Sequence, residues 1–138
     1  MGRIQKWCTQ AYSRIIQHAP YHIRIGKRAE RIAKKYLIRQ GLNLIDCNYH
    51  CKHGEIDLIM ADEQTIVFVE VRLRTDGCAI DSVNYAKQQR IACTASHYMT
   101  QHPVFYAWAT RFDIVALSAC NTQSIQWSQN AFAANIAY

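Results

Sequence analysis

The sequence predicts an α/β fold, with β-strands flanked by helices. Three observations carry this reading. A basic segment from Ile23 to Gln40 has apolar residues at helical spacing. Two runs of strand composition follow within Gly54 to Arg74, GEIDLIMADEQTIVFVEVRLR. A further helical segment, reaching about Gln101, precedes a strand-like run that ends at Ser118.

The first helix has its apolar stripe at Ile25, Ala29, Ile32, Ala33, Tyr36 and Leu37. Gly41 suits the position just past its end. Lys27, Arg28, Arg31, Lys34, Lys35 and Arg39 fill much of the rest, and Glu30 is the lone acid. Glu30 can pair with Lys34 at i+4, or point inward. Leu42 to His50 reads as the first strand, and Cys51 to Gly54 as a turn. The run Thr65 to Leu73 is apolar on both faces, which suggests a buried central strand. Thr75 to Cys78 reads as a loop. Asp81 or Ser82 can cap the next helix, whose stripe includes Val83, Ile91, Ala95, Tyr98 and Met99. Phe105 to Ser118 holds a strand, clearest from Arg111 to Leu117. Ser124 to Trp127 can return as an edge strand. The uncharged tail after Ser128 reads as a short helix or an apolar flap.

The chain has 138 residues, which favours one core-forming domain. Half its residues are hydrophobic, which argues against global disorder. Residues 1–22 read as a basic, helical extension and residues 23–138 as the domain proper. The formal charge of +6 suits polyanion binding. No apolar run approaches the length of a membrane span. The six cysteines are scattered and follow no signal-peptide pattern, so free thiols in a cytoplasmic protein are expected. Cys47, His50, Cys51 and His53 cluster, but no second Cys/His pair completes a structural zinc spacing.

A two-residue Glu63-Gln64 loop sets a register for the hairpin. Ala61 then faces Ile66, Ile59 faces Phe68, Asp57 faces Glu70, and Glu55 faces Arg72. Alternation would point Glu55, Asp57 and Ile59 one way and Ile56, Leu58 and Met60 the other. Opposed acids repel unless a cation lies between them. Mg²⁺ or Mn²⁺ would resolve the conflict, and a solvated edge face with a Glu55–Arg72 pair is the plainer alternative.

Several stretches resemble the YraN-like, UPF-type uncharacterised family, which is similar in turn to archaeal Holliday-junction resolvases. They are GKRAE at Gly26–Glu30, GLNLIDCN at Gly41–Asn48, GEIDLI at Gly54–Ile59 and FVEVR at Phe68–Arg72. Lys87 with Arg90, and RFD at Arg111–Asp113, complete the set. The resemblance implies a restriction-endonuclease-like core, a mixed β-sheet flanked by helices, with a PD-(D/E)xK-type site. Asp57 and Glu70 would be its acids and, with the backbone carbonyl of Val71, its Mg²⁺ (or Mn²⁺) ligands. Glu30 would be the helix glutamate and Lys87 a basic residue of the following helix. Arg72 stands where the motif has lysine. Arginine stays charged, so Arg72 suits charge stabilisation and not a general base. The implied activity is metal-dependent hydrolysis of phosphodiesters in DNA, including branched DNA. A nucleic-acid-binding module without turnover is the alternative. Lys27, Arg31, Lys34 and Lys35 would contact the DNA backbone, and resolvase-like enzymes commonly form homodimers.

Overall fold

The computed structural model describes residues 19–74 and 83–136. The expected helix at the amino-terminal arm and the Asp81 or Ser82 cap lie outside these residues. Helix α1 spans Tyr21–Arg39 and starts on Pro20, whose carbonyl accepts the N–H groups of Ile23 and Arg24. Ala29, Ala33 and Leu37 recur every fourth residue and are its buried positions. The helix ends as the glycine predicts. Gly41 has φ +100°, its N–H bonds to Ile38 O, and Leu42 N–H bonds to Leu37 O. This pair of bonds is a Schellman motif, and Leu42 and Leu37 lie in the same core.

Strands β1 (Asn43–Cys51), β2 (Gly54–Asp62) and β3 (Thr65–Leu73) form an antiparallel meander. Helix α2 (Tyr85–Gln101) then crosses over to β4 (Ala109–Leu117), which runs parallel to β3 along nine residue pairs. Strand β5 (Ile125–Ser128) returns antiparallel to β4. The result is a five-stranded mixed sheet in order β1-β2-β3-β4-β5. The central position of β3 explains why both its faces are apolar. One core joins the stripe of α1 to Leu58, Met60, Val67, Val69, Val115 and Leu117. The other joins Ile91, Ala95, Tyr98 and Met99 of α2 to Ile56, Ile59, Phe68 and Phe112. The helices thus cover different faces of the sheet.

Some boundaries differ from expectation. Asn84 caps α2, its Oδ1 accepting the Lys87 N–H at 2.9 Å. The stretch before β4 is not strand: Pro103–Phe105 forms a 3-10 turn, and Phe105 and Trp108 pack on the α2-side core. Pro103 lacks the N–H that a ladder needs. The tail is a flap and not a helix as far as residue 136. Ala131 N–H bonds to Phe112 O, and Phe132 stacks on Phe112 at a centroid distance of 4.9 Å.

Candidate active site

The β2–β3 register follows the loop-based expectation at Asp62–Thr65, Ala61–Ile66 and Ile59–Phe68, but the expected Asp57–Glu70 and Glu55–Arg72 pairs are not formed. Glu63 reaches this turn with φ +52°, a left-handed conformation. Pairing runs as far as Leu58–Val69. Beyond that point β2 continues beside β1, and β3 beside β4. The two strands therefore fork, and Asp57 and Glu70 are the first residues past the last pair.

Strict alternation breaks at the same place. Ile56 and Leu58 have the same parity, yet Ile56 packs in the α2-side core and Leu58 in the α1-side core. The expected grouping of Ile56 with Leu58 and Met60 is therefore corrected. On β1, Asn48 falls opposite Asp57, between the pairs Cys47–Leu58 and Tyr49–Ile56, and has φ +55°. Asn48 thus departs from strand conformation opposite Asp57 without shifting the register.

Asp57 Oδ2 accepts the Val71 N–H at 2.7 Å, which ties the acid across the fork. Burial, then the charge of Glu70, push the Asp57 carboxyl up to about 7, with smaller contributions from Glu30 and Glu55 against the Val71 hydrogen bond. Burial also raises Glu70, while Lys87 and Arg72 oppose that rise. Lys87 Nζ lies 3.1 Å from Glu70 Oε1. Glu55 stands opposite His50 on β1, its carboxylate 3.4 Å from His50 Nδ1.

Glu30 reaches the site from α1. Both its oxygens accept from Lys27 Nζ, at 3.0 and 2.9 Å, so its partner lies one turn earlier and is not Lys34. Lys27 Nζ also donates to Asn48 Oδ1. Lys27 is thereby turned into the fold, whereas Arg31 and Lys35 are exposed and Lys34 is half-buried. Arg72 is half-buried and lines a cleft of about 390 Å³ with Glu70, Arg74, Asn84, Lys87 and Arg90.

The Cys/His cluster has no metal-binding arrangement. Among the described residues no group of three or more His, Cys, Asp or Glu side chains is placed to hold a metal. His50 faces Glu55, and Cys51 Sγ accepts the His53 N–H at 3.4 Å. The roles of Asn48 and Asn84 were not read from the sequence. A short polar residue in a strand, and an Asn three residues before a basic helical position, were their only signals.

The fold and site define an α/β protein with two half-buried acids at the fork of central strands and cations at the rim. The chain belongs to the family described as Uncharacterised protein family UPF0102, whose model matches residues 29–117. The matched span contains Glu30, Asp57, Glu70, Arg72 and Lys87. A UPF0102 protein from Methylobacillus flagellatus is 45% identical over 113 residues, covering 80% of this chain and 97% of its own. Counterparts from Saccharophagus degradans and Alcanivorax borkumensis are 43% and 42% identical, over 83% and 78% of this chain and 97% and 90% of theirs.

Proposed function

We propose that this protein is a metal-dependent nuclease that hydrolyses phosphodiesters in DNA, on a restriction-endonuclease-like core. One observation carries the reading: of two half-buried carboxylates, Asp57 and Glu70, the second raises the proton affinity of the first, beside a cleft that Glu70 lines with Arg72, Arg74, Lys87 and Arg90. Burying like charges together is unfavourable, so the arrangement calls for a cation. Two carboxylates fit Mg²⁺, which keeps much of its water and needs only one or two protein acids. They fit zinc poorly, because catalytic zinc takes three protein ligands with His or Cys among them. Asp57 and Glu70, with the Val71 carbonyl, would hold the ion. When bound, it would polarise the phosphate and acidify a water.

The remaining chemistry belongs to the chain. Lys27 fixes Glu30 in position to orient a water or accept its hydrogen bond. Arg72 and Lys87 offset charge that develops on the phosphate oxygens. Arg72 carries no proton away, since guanidinium stays charged. The Lys87–Glu70 ion pair favours a second reading, a binding module without turnover, because it compensates one acid without any metal.

The test is cleavage of branched, flapped, single-stranded and duplex DNA in Mg²⁺, Mn²⁺ or chelator. Cleavage that needs the cation and disappears in folded Asp57→Asn is the expected result. Binding without cleavage selects the second reading. Absence of both binding and cleavage sinks the two together.

A further inference from the structure

A second cleft, about 340 Å³, adjoins the first and shares Lys87 and Arg90 with it. Its far side is the β1–β2 turn, at His50, Gly54 and Glu55. Lys87 and Arg90 are one helical turn apart on α2, so their side chains project along one wall. Gly54 brings the turn close to that wall: a Cβ there would come 3.3 Å from Thr94 Oγ1 and 3.9 Å from Arg90 Cβ. The two clefts together therefore run from Arg72 and Arg74, past Glu70, to the turn. The sequence-based reading instead put the phosphate contacts on α1. There Lys27 is committed to Glu30 and Asn48, while Arg31 and Lys35 are exposed on a helix that covers the other face of the sheet.

We infer that the two clefts form one groove for consecutive phosphates of a single nucleic-acid strand, with Lys87 and Arg90 as the shared contacts. The identity of the ligand rests on the nuclease reading above. The position of the groove rests on the clefts and their cations. Arg74 meets the strand at one end, and Arg90 holds it where the clefts join. A strand laid this way passes Glu70 without crossing the α1 face.

The experiment is a salt titration of the full chain binding a labelled single-stranded oligodeoxynucleotide, in chelator so that the probe stays intact. Arg90→Gln and Arg74→Gln should each weaken binding about tenfold, and each should reduce the slope of log affinity against log salt by about 1. Arg90→Lys should keep the slope. The double substitution Arg31→Gln with Lys35→Gln should weaken binding less than either groove change. An equal or larger loss from the α1 pair overturns the groove, as does a wild type that binds no strand at low salt. Cleavage by the same variants in Mg²⁺ separates the two ideas. Groove-dependent binding without cleavage ends the nuclease reading alone, and cleavage with α1-dependent binding ends the groove alone.

Discussion

Two acids of this sheet, one buried and one half-buried, are treated in opposite ways. Asp113 on β4 is 1% exposed and fully answered. Arg111 Nε and Nη2 donate to it at 2.9 and 3.1 Å, Trp127 Nε1 at 3.0 Å and the Asn130 N–H at 2.9 Å. Arg111 also reaches Asp62 at 2.9 Å, so the cluster joins β2, β4, β5 and the start of the tail. Asp57 receives one backbone N–H and faces Glu70, Glu30 and Glu55. The first acid holds the fold together. The second works against the fold, and the proposed function rests on that conflict.

Removing the satisfied acid should have the largest effect. Asp113→Ala leaves Trp127, Asn130 and the Nε and Nη2 groups of Arg111 without their acceptor, while Arg111 keeps Asp62. A loss of roughly 3–5 kcal/mol is expected, the scale for breaking a buried pair, read by denaturant unfolding. If Asp113→Ala unfolds like wild type, the contrast between the two acids fails.

The opposite sign is expected at Asp57. Its carboxyl titrates near 7 when folded and near 4 when unfolded. Between those values the folded state binds the extra proton, so stability falls as pH rises from about 4 to about 7. Above that window the full penalty, at most roughly 4 kcal/mol from the shift, is present. Asp57→Asn should therefore melt above wild type at pH 8, and the gap should close near pH 4. Mg²⁺ should raise the wild-type melting temperature at pH 8 and leave Asp57→Asn unmoved. A variant that melts lower at pH 8 would reverse the assignment of strain.

The rim cations sharpen the comparison through rate. If the nuclease reading holds, Arg72→Ala should slow cleavage about 10²-fold, the scale for one charge-stabilising donor. Arg72→Lys should keep or raise it. Cleavage by Arg72→Ala at the wild-type rate would remove Arg72 from the chemistry.

A smaller effect is expected at Lys27. Lys27→Met should lower kcat more than it raises KM, because it frees Glu30 without touching the groove. Lys27→Arg should recover part of the loss. A change confined to KM would return Lys27 to the role of a phosphate contact.

Much of this was legible in the sequence, for reasons that can be named. Alternation and a two-residue loop fix a register, and Ile59–Phe68 follows. The α1 stripe and Gly41 follow from helical spacing and from the left-handed cap. The fork was not legible. Parity presumes a regular strand, and the strand is irregular at Asp57, where the function is proposed. The partner of Glu30 was missed because i+4 pairs were considered, while Asn48, eighteen residues after Glu30, draws Lys27 inward from i−3. Asp113 was noticed only as part of a motif. Arg111, two residues earlier, is a local donor, but the other donors come from Trp127 and Asn130, which no local pattern links to it.

The packing of α2 on the meander bears on the order in which this site assembles. The meander that carries Asp57 and Glu70 closes short loops, so hairpin formation takes microseconds. Helix α2, which carries Lys87, docks through Ile91, Tyr98 and Met99 onto Ile56, Ile59 and Phe68, contacts of longer sequence separation than the hairpin's own that form more slowly. If the meander forms first, its acids meet before their counter-charge docks. Alkaline solution, where both acids are ionised in that intermediate arrangement, should slow refolding, and Asp57→Asn should remove the slowing. In stopped-flow refolding, equal rates for wild type and Asp57→Asn from pH 5 to pH 9 would mean that helix and hairpin dock in one step.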